Sequence, residues 1–200
     1  KIIAQAIKEK RKVLLETEAK LICKDYNMPI TKFDLATSQK EAVTIADKIG
    51  YPLVLKVVSP DISHKTEVGG VLVNLQNVKQ LKTGYLKILD NVKRYKPKAK
   101  IIGVLVEEMA PKSIEVIVGA IKDTQFGQTL MFGLGGIFVE ILKDTTFHIA
   151  PITEQEAKEM ITGIKAYPLL TGYRNNPPVD IKSIIKTLLG TSKLVIGHPE

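Results

Sequence analysis

This chain is poor in cysteine, tryptophan and arginine. It has 200 residues with one cysteine, no tryptophan and only 6% aromatic residues. A single cysteine, Cys23, excludes an intramolecular disulfide and is typical of a protein from a reducing cytoplasm. The sequence also has no Cys/His cluster with the spacing of a zinc site. We therefore expect a cytoplasmic protein that is stabilised by its own apolar core.

Long apolar runs are absent as well. No run is long enough to span a bilayer, and the first twelve residues, KIIAQAIKEKRK, lack the apolar stretch of a signal peptide. A hydrophobic content of 44% and a charged content of 25% are those of a soluble globular protein. The length suffices for one or two domains with real cores. No membrane partner is expected.

The charge of the chain comes almost entirely from lysine. The net charge is +8, and the only arginines are Arg11, Arg94 and Arg174. A positive field favours anionic partners. Scarce aromatics and the lack of a recognised motif argue against nucleic acid, so nucleotides, phosphate or an acidic partner surface fit better. Abundant Lys, Glu and Ile without Trp is also typical of hyperthermophiles, which alone would explain the lysines.

The most informative segment lies between two short apolar runs, which predict buried strands at Leu53–Val58 and Val71–Leu75. The loop between them, Ser59–Gly70, has 12 residues, whereas hairpin loops usually have about 2–5. Its charged and special residues are Asp61, His64, Lys65, Glu67, Gly69 and Gly70, and Lys56 lies on the strand that enters it.

Glycines permit close backbone approach and form anion-binding nests, and here basic side chains accompany them. The combination predicts a phosphate or nucleotide site, and the histidine indicates that phosphate is transferred as well as bound. Taken one at a time, each feature fits a simple turn, an exposed histidine or a surface lysine. It is their convergence in one loop that favours the functional interpretation.

The rest of the chain alternates between helical and extended patterns. Ser38 with Glu41, Thr153 with Glu156, and Asp180 predict helix starts. Apolar patterns predict a helix around residues 81–92, strands at 101–106, 114–120, 129–132 and 137–142, and a loop at 167–178. Glu115 lies on an otherwise apolar strand face, so its carboxylate requires a partner or a ligand. The turn at residues 133–136 is a weak phosphate signal. The chain is predicted to form two α/β lobes, residues 1–100 and 101–200, with a nucleotide cleft between them.

Five segments together resemble a known family. They are YPLVLK, SPDISHKTEVGGV, VEEM, IEVIVGAIKD and FGLGGIFVEILKD. In this order they are similar to the ATP-grasp β subunit of the NDP-forming acyl-CoA synthetases, over nearly the whole chain. The segment HKTEVGGV is the most specific. The resemblance implies an α/β (α+β) ATP-grasp fold.

The resemblance also implies an activity. These enzymes convert acyl-CoA, ADP and phosphate into the acid, CoA and ATP, with Mg²⁺. A CoA-binding α subunit forms an acyl phosphate and passes the phosphoryl group to its own histidine. The group then moves to a histidine on a mobile loop of the β subunit, and from there to ADP. His64 matches that second histidine, and imidazole is a competent nucleophile near neutral pH.

Other residues acquire roles only through the resemblance. Lys56 matches the lysine that contacts nucleotide phosphates, and Gly69 and Gly70 match the glycine-rich loop over them. The hinge along adenine matches Glu107, Glu108, Met109 and Ala110. Glu115 matches the acid at the ribose, and Glu140 is expected to line the cleft. His148 and His198 match no motif.

The metal site and the assembly are less defined. In the family, the segment that resembles SKLVIGHPE continues into a D-I-N-P motif with metal ligands. The chain stops at Glu200, so the second lobe is expected to be truncated and the metal ligands stay unknown. The resemblance implies an α2β2 hetero-oligomer with the α subunit.

Three other functions remain open at this level. Carboxylate–amine ligases and carboxylases of the ATP-grasp type transfer phosphate directly and need no loop histidine. A nucleotide-sensing regulatory module would not need both Lys56 and His64. A basic RNA-binding domain is the most distant alternative.

Overall fold

The computed structural model describes residues 1–136, 144–173 and 177–199. The chain forms two compact units. The first contains residues 1–22 and 30–111, and the second contains residues 23–29 and 112–200. In the part of the chain that is described, no helix is both long and apolar enough to cross a bilayer.

The first unit is built on a four-stranded antiparallel sheet. Its strands are β1 (Phe33–Ala36), β2 (Leu53–Val58), β3 (Val71–Leu75) and β4 (Gly103–Glu108), in the order β1-β4-β2-β3. Its helices are α1 (Ile2–Lys8), α2 (Glu16–Asp25, whose last three residues belong to the second unit), α3 (Gln39–Ile49) and α4 (Val78–Tyr95). Helices α3 and α4 pack on β2 and β4 around Leu53, Leu55, Val57, Leu81 and Ile88.

The second unit has a three-stranded antiparallel sheet. Its strands are β5 (Val116–Asp123), β6 (Gly127–Leu134) and β7 (Thr145–Ile149), with β6 in the middle. Its helices are α5 (Glu154–Thr162), α6 (Tyr167–Leu170) and α7 (Ile181–Gly197). The core between sheet and helices contains Leu130, Phe132, Ile161, Leu170 and Leu188.

Several local predictions are confirmed. Strands β2 and β3 have the predicted bounds, and the long loop lies between them. The Ser38 and Asp180 side chains cap α3 and α7, and Thr153 with Glu156 forms a complete capping box on α5. The predicted loop at 167–178 is wrong in its first part, because residues 167–170 form α6. Leu170 there is fully buried, which gives this short helix a packing role.

Two features of the first unit matter for the site. Strand β4 lies inside the first sheet between β1 and β2, and the first unit extends to Pro111, beyond the predicted lobe end at residue 100. Gly84, on α4, is buried at the contact of this helix with the sheet. A Cβ at Gly84 would lie 3.0 Å from Leu72 Cδ1, so glycine lets α4 pack closely against β3.

The predicted strand at 137–142 lies outside the described residues.

Candidate functional site

Lys56 lies in the centre of the first sheet and is the only residue of β2 that is not buried. Its ammonium is 2.7 Å from Glu16 Oε1 and 2.8 Å from Glu107 Oε2. Val54 of β2 pairs with Glu107 of β4, and Val54 and Lys56 share one face of β2. The pairing register therefore places Lys56 and Glu107 side by side on that face.

Glu107 is a buried carboxylate with several partners. Its side chain is 7% exposed, and Oε1 is 2.6 Å from Lys20 Nζ. The Thr31 hydroxyl donates to the same oxygen. Oε2 faces Lys56 but lies outside ordinary hydrogen-bond geometry, so it is held there mainly by charge. Burial would raise the pKa of Glu107, but the contacts with Lys20, Lys56 and Thr31 outweigh it and hold this pKa below its ordinary value.

Glu16, the first residue of α2, connects the sheet to the long loop. One of its carboxylate oxygens accepts from Lys56 Nζ at 2.7 Å and the other from Lys65 Nζ at 2.9 Å. Burial opposes ionisation of Glu16, yet the two lysines lower its pKa. Burial likewise opposes the charge on Lys56, and Glu107 and Glu16 together raise the pKa of Lys56. We call Glu16, Lys20, Lys56, Lys65 and Glu107 the lysine–glutamate cluster.

His64 lies at the tip of the loop, next to this cluster. Its side chain is 77% exposed, and its Nδ1 is 3.8 Å from Glu67 Oε1. A cavity of about 420 Å³ is lined by Glu16, Lys56, residues 63–67 and Val71. The predicted phosphate residues Lys56 and His64 therefore line one cavity, together with Lys65. A group bound there would meet an imidazole and two ammonium groups.

Both ends of the loop are fixed. Ile62 and Val68 are buried in the first core, with 6% and 7% of their surface exposed. Asp61 accepts hydrogen bonds from the backbone nitrogen of Lys100 and, at its carbonyl oxygen, from Lys96 Nζ. The lysine-rich connection after α4 therefore holds the start of the loop. The tip, residues 63–67, has no buried side chain, and Lys65 connects it to Glu16 outside the loop.

Gly69 and Gly70 have local structural reasons to be glycine. Gly69 has a φ of 63°, in the left-handed region that favours glycine. A Cβ on Gly70 would lie 2.7 Å from Val57 Cγ1. The Gly70 nitrogen donates to Lys65 O at 2.7 Å, which closes the loop tip. Phosphate binding by these glycines remains a prediction.

The predicted hinge residues lie at the end of β4. The Glu107 side chain points into the lysine–glutamate cluster, whereas Glu108 is half-buried and accepts a hydrogen bond from the Lys32 nitrogen. Met109 and Ala110 are exposed. The Met109 nitrogen donates to Pro52 O, which fixes the chain direction after the strand. Contact of this segment with adenine remains a prediction.

Glu115 belongs to the second unit and immediately precedes β5. Glu115 is exposed, so its carboxylate needs no partner to offset burial, whereas the alternating sequence pattern predicts that it does. It lines a cavity of about 460 Å³ with Ser113, Ile114, Leu134, Leu169 and the glycines 135–136. A Cβ on Gly136 would lie 2.9 Å from Glu115 Oε2. A ribose contact of Glu115 remains a prediction.

Some predicted positions stand apart from the lysine–glutamate cluster. Glu140 lies outside the described residues. His148 is half-buried on β7, with Nε2 3.5 Å from Glu156 Oε1, and the His198 ring lies edge-on to Tyr26. Within residues 1–136, 144–173 and 177–199, no group of three or more His, Cys, Asp or Glu side chains could hold a metal ion.

Sequence reasoning missed Glu16, Lys20 and Thr31. Glu16 and Lys20 are four residues apart on a helix, so they share a face, but this spacing usually marks an exposed ion pair. Along the chain, Lys20 lies 87 residues from its partner Glu107, and Glu16 lies 40 residues from its partner Lys56. Only the fold brings these residues to Glu107 and Lys56.

Comparison with known proteins shows the family of this chain. Residues 5–200 match the ATP-grasp domain family. The β subunit of the ADP-forming acetate–CoA ligase I of Pyrococcus furiosus is 46% identical over 198 residues, which are 99% of this chain and 85% of that protein.

Two solved structures of acetyl-coenzyme A synthetase 1 from Ca. Korarchaeum cryptofilum are also similar. One contains coenzyme A, acetyl-coenzyme A and a phosphorylated phosphohistidine segment, with a TM-score of 0.92, 45% identity and coverage of 100% of this chain and 87% of that one. The other contains coenzyme A and Mg-AMPPCP, with its phosphohistidine segment pointing towards the nucleotide-binding site; its TM-score is 0.87 at 42% identity, over 100% of this chain and 86% of that one. The family resemblance and the predicted fold are confirmed: this chain belongs to the ATP-grasp family, among the β subunits of the ADP-forming acetate–CoA ligases.

Proposed function

We propose that this chain is the nucleotide-binding β subunit of an ADP-forming acetyl-CoA (acyl-CoA) synthetase. In this reaction acyl-CoA, ADP and phosphate give the acid, CoA and ATP through a phosphohistidine. The observation that carries the proposal is the position of His64, exposed at the tip of an anchored loop and lining one cavity with Lys56 and Lys65. A relative at 45% identity carries a phosphorylated histidine segment.

His64 acts as the phosphoryl carrier. A ring nitrogen of His64 attacks the phosphorus of a donor phosphohistidine; a new N–P bond forms as the donor N–P bond breaks. In the second step an oxygen of the ADP β-phosphate attacks the same phosphorus, and the His64 imidazole leaves. Such transfers need positioning and charge neutralisation more than covalent help from the protein. His64, exposed at a loop tip, can approach both groups.

The lysines neutralise the transferred phosphate. Lys56 is held at the sheet, and Lys65 is adjacent to His64 on the loop, so one ammonium stays at the nucleotide while the other accompanies the phosphohistidine. Gly69 and Gly70, the segment of Glu107, Glu108, Met109 and Ala110, and Glu115 complete the proposed nucleotide site. When bound with the nucleotide, Mg²⁺ neutralises phosphate charge. The described residues form no metal cluster, so no ligand is assigned.

The partner is proposed to be a CoA-binding α subunit in an α2β2 assembly. The Pyrococcus relative is named as a β subunit, which implies a complementary chain. The net charge of +8 favours an acidic partner surface. We also propose a cytoplasmic location, because a chain whose single cysteine, Cys23, can form no intramolecular disulfide is typical of a reducing compartment.

The proposal is tested by labelling His64. The chain is incubated with Mg²⁺ and γ-labelled ATP, and phosphate on the protein is measured after acid and after base treatment. We expect an acid-labile, base-stable label in the wild type and none in His64→Ala. His148→Ala is the matched control and keeps its label. Full labelling of His64→Ala would reject the assignment, and absence of label in every variant would favour an ATP-grasp ligase that transfers phosphate directly.

A further inference from the structure

Glu16 occupies a position between two lysines that a phosphate group would be expected to fill. Its two oxygens lie 2.7 Å and 2.9 Å from the ammonium groups of Lys56 and Lys65. The Glu16 side chain is 21% exposed, and those of Lys56 and Lys65 are 26% and 24% exposed. These are well-formed, partly desolvated ion pairs, which are stronger than pairs in open solvent.

The two lysines belong to parts of the molecule with different freedom. Lys56 is on the central strand β2, whereas Lys65 is in the loop tip, next to His64, where no side chain is buried. A single carboxylate therefore fastens the His64 tip to the sheet. Among the described residues, this is the one ion pair between the tip and the rest of the unit, since Glu67 pairs with His64 of the same tip.

The charge balance of the lysine–glutamate cluster supports the view that the contact of Glu16 with the two lysines is temporary. Three lysines face two glutamates, which leaves one positive charge. Lys56 keeps its second carboxylate, Glu107, when Glu16 is removed, whereas Lys65 loses the only ion-pair partner that it has among the described residues. The Glu16 carboxylate thus supplies the negative charge that a bound anion would otherwise supply to Lys56 and Lys65.

We propose that Glu16 is an internal stand-in for phosphate: it latches the His64 tip onto Lys56 when no nucleotide is present, and an incoming phosphate displaces it and frees the tip. This deepens the proposed function and rests on it, because the anion is taken to be the nucleotide phosphate. Glu16 is a positioning residue and takes no part in bond making.

The first arm of the test measures anion affinity. Tripolyphosphate, which has no nucleoside, is titrated calorimetrically into the wild type, Glu16→Gln and Glu67→Gln. Removing the competing carboxylate should tighten binding to Glu16→Gln about threefold to tenfold. Glu67 lines the same cavity but pairs with neither lysine, so Glu67→Gln controls for the general change in charge and should tighten binding less. A purely structural role of Glu16 would weaken binding, so equal or weaker binding by folded Glu16→Gln overturns the proposal.

The second arm measures the freedom of the tip without any ligand. The rate of tryptic cleavage at the Lys65–Thr66 bond is followed by mass spectrometry in the wild type and Glu16→Gln. Loss of the latch should accelerate this cleavage several-fold, while cleavage after Lys48, on helix α3, stays unchanged in the same sample. An unchanged rate at Lys65 overturns the latch.

Failure of the proposed function gives a different result. If His64 is never labelled by ATP but both arms behave as expected, the latch stands and the phosphoryl-transfer assignment falls. If His64 is labelled normally and Glu16→Gln changes neither affinity nor cleavage, the function stands and the latch falls.

Discussion

At the scale of single residues, glutamate carboxylates of the protein itself balance the charges of the lysines in the site. Glu107 is the clearest case, because it is buried and meets two ammonium groups and a hydroxyl. Desolvation makes a buried charge costly unless partners compensate for it. The lowered pKa of Glu107 shows that its partners do so here, so the ionised carboxylate contributes to the stability of the first unit.

This gives a pH-dependent prediction for Glu107→Gln. The pKa of Glu107 is lowered on folding, so its stabilisation is complete above the unfolded value of 4.5 and is lost as pH falls through the lower folded value. At neutral pH we expect Glu107→Gln to be less stable by about 1–3 kcal/mol. As pH falls below 4.5, the melting temperatures of wild type and variant should converge.

Differential scanning calorimetry between about pH 3 and pH 7 checks this. Glu67→Gln is the control, since Glu67 is 70% exposed and its replacement should leave the melting temperature nearly unchanged throughout. A gap between Glu107→Gln and wild type that stays constant or grows on acidification would contradict the linkage.

At the scale of elements, the long loop has two buried ends, at Ile62 and Val68, and a short tip that the Lys65–Glu16 pair holds. Its base depends on Gly70, whose position leaves no room for a side chain: a Cβ would lie 2.7 Å from Val57 Cγ1 and 3.0 Å from Lys65 O. Val57 is fully buried on β2 and cannot shift without disturbing the core.

We therefore predict that Gly70→Ala destabilises the first unit by about 1–3 kcal/mol and slows labelling of His64 by ATP. Gly119→Ala is the matched control, because a Cβ there would meet only Met131 Cε at an ordinary 3.5 Å. Urea unfolding and the initial rate of labelling check the two effects. Equal stability of the two variants would show that the loop base adapts to a side chain.

The strands β2 and β3 and several helix caps were predictable from the sequence, and the lysine–glutamate cluster was not. Strands β2 and β3 follow from short apolar runs, and α3, α5 and α7 begin at residues whose side chains cap helices by local hydrogen bonds. These signals involve residues within a few positions of one another. Glu16 and Lys20 meet Lys56 and Glu107 only after α2 packs near the sheet, and no local pattern encodes that contact. The place of β4 inside the first sheet is non-local for the same reason.

At the scale of the whole molecule, this chain contains one half of the proposed relay. His64 is its loop histidine, and the other two histidines, His148 and His198, have structural neighbours in the second unit. The sequence has no Rossmann-type G-x-G-x-x-G for a CoA-binding half. A phosphohistidine transfers only to a group it can touch, and the proposed α subunit would supply that donor.

We predict that the chain alone binds nucleotide but forms no ATP from acetyl-CoA, ADP and phosphate. Addition of a purified α subunit should start CoA-dependent ATP formation, measured by a coupled luminescence assay. Because the chain carries a charge of +8, association with an acidic partner should weaken as salt increases. His64→Ala with the α subunit is the negative control. Full turnover by the homogeneous chain alone would refute the prediction that ATP formation requires the α subunit.

The two apolar anchors of the loop also limit the reach of His64. Two residues of extended chain span at most about 7 Å, so the Cα of His64 stays within that radius of the Ile62 Cα while Ile62 remains in the core. A longer excursion requires Ile62 to be extracted from its packing, at about 1.5–3 kcal/mol for a side chain of this size. If the His64 Cα must leave this sphere to reach donor or acceptor, part of the barrier to turnover is the unpacking of one isoleucine, and a smaller residue at position 62 would speed the relay while weakening the fold.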